Sequence, residues 1–165
     1  MSFWTRLSFT TISDFLLAQN NLIMPTGNLG IPRSQMPQIA DFKKFTKILE
    51  GFGIKTETGV RIRIGNLRFI QNEVNKTKVF KLMNQYRDTN RRTRGGIDIP
   101  GFPPVVTQDL FVLDGTHRQA AMFNINKHAY SDYTMIHADA KILIKFINNN
   151  KTKFGSSIKY KGLME

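Results

Sequence analysis

A chain of 165 residues with 41% hydrophobic and 11% aromatic side chains carries enough apolar surface for one packed core, which excludes wholesale disorder. The absence of cysteine excludes disulfides, thiolate catalysis and cysteine-ligated zinc, and His117, His128 and His137 lack the spacing of a zinc-protease helix. A formal net charge of +12 points either to a solvated lysine-rich surface or to a polyanion, with nucleic acid ahead of membrane because no strongly basic amphipathic helix stands out.

The opening residues, Met1 to Gln19, are apolar only in short pieces interrupted by Arg6 and Asp14, with no clear cleavage site. No stretch approaches the roughly 20 apolar residues of a membrane helix, so an intracellular, cytoplasmic protein is expected. Ile12 to Leu22 reads as a short helix capped near Ser13 and Asp14. Pro25, Gly27, Gly30 and Pro32 then break regular structure. The segment Ile31 to Gln38 is polar and proline-bracketed, and Arg33, Gln35 and Gln38 are good readers of phosphates or base edges. It is either an ordered loop packed on the core or a loop that closes over an acceptor substrate.

Ile39, Phe42, Phe45, Ile48 and Leu49 fall on one helical face, which predicts a helix over Ile39 to Gly51. Val60 to Ile64 alternates with period two and predicts a half-buried strand. Helical spacing returns over Lys76 to Tyr86, and the basic stretch Arg87 to Gly96 reads as an exposed loop. Its Arg91, Arg92 and Arg94 are either solvated or in contact with a phosphate backbone. Val105 to Thr107 is a short strand, Gln108-Asp109 a turn, and Leu110 to Leu113 a buried strand running into Asp114-Gly115. A helix follows from Arg118, then a strand over Tyr133 to Ala138, a helix over Ala140 to Ile147, and a frayed, lysine-rich tail from Asn148. The expected fold is α+β, a small mixed sheet with helices around it. Residues 1–59 form an N-terminal helical and loop extension, 60–149 the domain proper, and 150–165 a basic tail.

A buried strand ending in Asp-Gly and running directly into a helix is built to hold an anion. The helix N-terminus offers backbone N–H groups without intrahelical partners, and the macrodipole makes that end electropositive. Gly115 permits a tight turn and close approach of an anion, while Thr116, His117 and Arg118 add donors. Asp114 has acceptor capacity, suited to a magnesium ion or to the proton of a hydroxyl nucleophile. The simpler alternative is that Asp114 caps the helix and Arg118 sits in a surface pair.

Leu113-Asp114-Gly115-Thr116-His117-Arg118-Gln119-Ala120-Ala121 resembles the Asp-Gly-His-His-Arg-x-Ala-Ala signature of ParB-like domains, the superfamily that includes sulfiredoxin and the free-serine kinase. Ile64 to Val79 is similar to the upstream segment of that family, a strand, a Leu-Arg-Pro-x-Gln/Glu loop and a helix. Pro103 to Val106, Leu110 to Leu113, Met135-Ile136 and the helix after Asp139 complete the likeness, which covers about Val60 to Asn149. There are departures. Thr116 stands where sulfiredoxin has its catalytic cysteine, so sulfinic-acid reduction by that route is excluded. The loop proline is replaced around Phe69-Ile70, and either Asn72 or Glu73 takes the place of the kinase's catalytic glutamate.

The resemblance implies a nucleotide-dependent phosphotransferase with ATP or another NTP as donor and Mg²⁺ as cofactor. Gly115, Thr116, His117 and Arg118 would hold the phosphates, Asp114 the metal or a proton, and Glu73 and His117 would complete the catalytic set. Gln71 joins Arg33, Gln35, Gln38, Arg91, Arg92 and Arg94 as expected substrate or nucleic-acid contacts, the acceptor being DNA or a modified nucleoside. Two other readings stay open: a ParB-like module that uses a nucleotide as a DNA-binding switch, and a metal-dependent nuclease using Asp114 with Glu73 or Asp109. The lysine-, asparagine- and isoleucine-rich composition suits a phage protein.

Overall fold

The computed structural model describes residues 22–23, 27–70, 74–92 and 96–160, with the backbone alone for 88–92. In chain order the elements are β1 (Pro37–Ile39), α1 (Phe42–Gly51), β2 (Thr56–Arg63), β3 (Arg68–Phe69), α2 (Lys76–Arg92) and β4 (Val105–Thr107). They are followed by β5 (Phe111–Asp114), α3 (Thr116–Asn126), β6 (Tyr130–Ile136), α4 (Ala140–Asn149), α5 (Lys151–Phe154) and β7 (Ile158–Tyr160). Single 3₁₀ turns lie at Arg33–Gln35, Ile64–Asn66 and Gly155–Ser157. The helix expected over Ile12 to Leu22 lies outside the described residues except for Leu22, which packs on the core.

Five strands form a mixed sheet in the order β2-β6-β4-β5-β3. The β2–β6 and β4–β5 pairs are antiparallel, and the β4–β6 and β3–β5 pairs are parallel. Because side chains alternate across a pleated strand, each inner strand feeds two cores. Val106, Val112 and Tyr133 face one side, where Val79, Phe80 and Met83 of α2 and Ala120 and Ala121 of α3 cover them. Val105, Phe111, Leu113 and Ile136 face the other, against Phe45 and Leu49 of α1, Leu143 and Ile147 of α4, and Phe154 of α5. The result is an α+β domain with a mixed sheet between helices.

The residues expected as extension and tail are bound to each other. β1 pairs antiparallel with β7, Ile39 opposite Ile158, and the Phe45 and Phe154 rings lie 5.6 Å apart. The expectation of a frayed end is therefore corrected as far as Tyr160: buried Phe154 and Ile158 hold it down despite the lysines between and around them. Nearer the start, the Asn124 side chain imitates a strand partner. Its Oδ1 accepts from the Ile23 N–H at 2.7 Å and its Nδ2 donates to the Ile23 carbonyl at 2.9 Å.

Two helix boundaries differ from expectation by three residues or more. α1 begins at Phe42, where the Asp41 carboxylate caps it by accepting from the Lys44 N–H at 3.1 Å. Ile39, although in phase with the apolar stripe, belongs to β1. Part of the stretch Arg87 to Gly96, expected as a loop, is helix, since α2 runs on to Arg92. No helix among the described residues is long and apolar enough to cross a membrane.

Candidate functional site

β5 delivers Asp114 to the first turn of α3 through Gly115, whose φ of 94° lies in the left-handed region. A Cβ there would sit 3.0 Å from Arg118 Nη2 and 3.0 Å from Pro104 Cβ, so glycine is required by both conformation and space. Asp114 holds the turn from two sides. Its Oδ1 accepts from the Gly115 N–H at 2.9 Å, and its Oδ2 from the Ile39 N–H at 3.3 Å. The carboxylate thereby ties β1 to the end of β5.

A second helix starts at the same place. Asn75 precedes α2, and its Oδ1 accepts from the Lys78 N–H at 3.1 Å. The backbone N–H of Asn75 donates to Nε2 of the buried His117 at 2.9 Å. That nitrogen is therefore an acceptor in this arrangement. The N-termini of α2 and α3 converge on one point. Neither has an acidic residue in its first turn, and both carry cations there, Lys76 and Lys78 in α2 and Arg118 in α3. Positive side chains at the positive end of a helix dipole are unfavourable unless an anion joins them.

The convergence point opens into a cleft of about 300 Å³ whose floor is Asp114, Gly115, Thr116 and His117. Arg118, Lys78 and Leu82 line it as well, together with Arg33 and Gln38 from the segment around β1. Arg33 is 7% exposed, and among the described residues no carboxylate pairs with its guanidinium. A buried guanidinium without an anion is costly, so this one stands ready for an anionic ligand. Arg118 donates from Nη1 to the Phe102 carbonyl, which fixes the guanidinium at the cleft's edge. Tyr86 lies behind it. Burial raises the Tyr86 phenol above its ordinary value, and the nearby Arg118 charge offsets part of that rise.

The structure thus brings Arg33 and Gln38 together with Asp114 to Arg118, as the sequence suggested. The Ile31 to Gln38 segment packs on the core through Met36, and its Arg33 and Gln38 also line the cleft. Gln35 lines a separate groove with Lys141 and Ile144, and its carbonyl accepts from Asn148 Nδ2 at 3.0 Å. Asp109 lies in the β4–β5 turn, at the opposite end of β5 from Asp114. Its Oδ1 accepts from Thr107 Oγ1 at 2.5 Å and from the Ala140 N–H at 3.0 Å, so it serves the turn and the start of α4. Gln71, Asn72, Glu73 and Arg94 lie outside the described residues, and Arg91 and Arg92 are described as backbone of α2 alone.

Lys78 and Leu82 were not singled out from the sequence. The available signal was a lysine in the first turn of a helix that has no acidic residue there. Among the described residues no group of three His, Asp or Glu side chains is placed to hold a metal ion. Among the described residues the cleft carries one carboxylate and three cationic side chains, which fits a cation only if phosphate oxygens bring most of its ligands. No family model, curated protein or solved structure matches this chain.

Proposed function

We propose that the cleft binds the polyphosphate of a nucleoside triphosphate and that the protein transfers the terminal phosphoryl group to a hydroxyl acceptor. The observation that carries this reading is Arg33, a buried guanidinium without a carboxylate partner among the described residues, lining the same cleft as the N-termini of α2 and α3. Backbone N–H groups at Thr116 to Arg118 surround the phosphates, and Arg33, Lys78 and Arg118 neutralise them. The resemblance of Asp114 to Ala121 to the ParB/sulfiredoxin signature supports the same ligand class.

In such a transfer the acceptor oxygen forms the new bond to the terminal phosphorus as the bridging oxygen bond breaks. Asp114 receives the acceptor's proton, and the nucleoside diphosphate leaves. Magnesium, when carried in by the phosphates, would neutralise the leaving charge, with Asp114 as its protein ligand in place of the role of base. The chain's formal charge of +12 favours a nucleic acid or nucleoside as acceptor.

One observation favours a second reading, nucleotide binding as a switch without turnover. Both Asp114 oxygens already serve Gly115 and Ile39, so nucleotide contact there is coupled to β1 and through it to β7. The nuclease alternative draws no support from Asp109, which is committed elsewhere. One experiment separates the three. The protein is incubated with γ-labelled ATP, Mg²⁺ and, in turn, DNA, nucleosides or serine. Label on an acceptor is the expected result. Shortened DNA would identify a nuclease, and bound nucleotide without label transfer would identify the switch.

A further inference from the structure

Beside the cleft stands an aromatic pair that phosphate binding does not use. Phe102 is 59% exposed although it is a large apolar side chain, and its ring lies 5.1 Å from that of Phe42 with the planes tilted by 34°. The loop that carries it is fixed on both sides. The Phe102 carbonyl accepts from Arg118 Nη1, and buried Pro104 packs against Gly115 and accepts from the Thr134 N–H at 3.1 Å. An exposed ring on a mobile loop would be ordinary surface. Here the backbone beneath the ring is held by the same guanidinium that lines the phosphate cleft, and the ring itself rests against Phe42.

Resting on the nucleotide reading above, we infer that Phe102, backed by Phe42, is the platform on which the nucleobase stacks. A nucleotide whose phosphates lie at the N-terminus of α3 and whose ribose extends outward past Arg118 meets the Phe102 ring beyond that guanidinium. Phe42 supports the ring from behind, so its outer face is free for a base. Stacking uses the π-face that every base has, so it discriminates weakly. Purine nucleotides bind more tightly than pyrimidine nucleotides because their larger ring system covers more of the platform.

The test compares ATP with inorganic tripolyphosphate by titration calorimetry on the wild-type chain and on Phe102→Ala, Phe102→Leu and Phe102→Trp, with thermal unfolding as the check on fold. Phe102→Ala and Phe102→Leu should weaken ATP about tenfold and leave tripolyphosphate unchanged, while Phe102→Trp retains ATP. If both ligands bind and Phe102→Ala affects neither, or both equally, the platform is overturned while the phosphate site stands. If the wild-type chain binds neither ligand, the phosphate reading itself fails and the platform falls with it.

Discussion

The Asn75 N–H and His117 Nε2 lie 2.9 Å apart, so one hydrogen bond couples the starts of α2 and α3. The bond explains why a histidine at that point is buried. His117→Ala removes the acceptor and leaves the Asn75 N–H without it. Such a loss costs about 1–3 kcal/mol where the donor is shielded from water. Urea denaturation should show a lower midpoint of that size, and binding of tripolyphosphate should weaken as well, since the two helix ends are no longer held together. An unchanged midpoint would mean the bond contributes nothing to the coupling.

Asp114→Asn separates the carboxylate's chemistry from its structural work. An amide can present one oxygen to Gly115 or Ile39, but its NH₂ then faces the other N–H. We expect a stability loss of about 1–3 kcal/mol together with loss of phosphoryl transfer. The fold should persist, because both cores lie away from this side chain. Full retention of label transfer with γ-labelled ATP would remove Asp114 from the chemistry.

Gly115→Ala tests the turn itself. A left-handed backbone conformation costs a non-glycine residue about 1–2 kcal/mol, and the added methyl meets Arg118 and Pro104 at 3.0 Å. Thermal unfolding should record that loss. Tripolyphosphate affinity should fall further than the stability change alone explains, because the methyl displaces the Arg118 guanidinium. Equal affinity in the variant would show that Arg118 is not needed in its present position.

Much of this arrangement was legible in the sequence, and the reasons differ from place to place. β5 and its Asp-Gly ending were plain because four apolar residues meet a turn residue and then a helical pattern. α1 was plain from its stripe, but its start was misplaced because Ile39 happens to be in phase with Phe42 and Phe45. Only the partner Ile158, 119 positions later, draws Ile39 into a strand. β1, β3 and β7 are two or three residues long and carry no periodicity of their own, so long-range pairing alone defines them. The helical part of Arg87 to Gly96 was hidden because the apolar face of α2 ends at Tyr86 and Asp88, Thr89 and Asn90 are weak helix formers. At the site, Arg33 was legible as a residue type but not as a buried one. Lys78 needed the folded position of α2 to be recognised.

Alkaline pH offers a prediction away from the cleft. Tyr133 is fully buried, its hydroxyl donates to Gln119 Oε1 at 2.6 Å, and Gln119 Nε2 donates to the Ile64 carbonyl at 3.0 Å. Burial raises the Tyr133 phenol well above its ordinary value of 10.0, and the Gln119 bond offsets only part of the rise. The folded chain therefore keeps this proton after the unfolded chain has lost it. Stability from this group is complete below pH 10 and declines as pH rises above it, toward the folded value. Denaturation curves between pH 9 and pH 11 should show the decline, and Tyr133→Phe should flatten it while lowering stability at pH 7 by about 1 kcal/mol. An equal slope in the variant would place the titration elsewhere.

The central claim is that the buried guanidinium of Arg33 waits for a phosphate. Arg33→Met keeps the aliphatic stem and removes the charge. Titration calorimetry with tripolyphosphate, paired with urea denaturation in the absence of ligand, reads both consequences. The account predicts that affinity falls at least about tenfold, the scale of a lost charge-assisted hydrogen bond. It also predicts that ligand-free stability stays level or rises, because an unpaired buried charge has been removed. Undiminished affinity in Arg33→Met, or a large loss of ligand-free stability with binding intact, would contradict it.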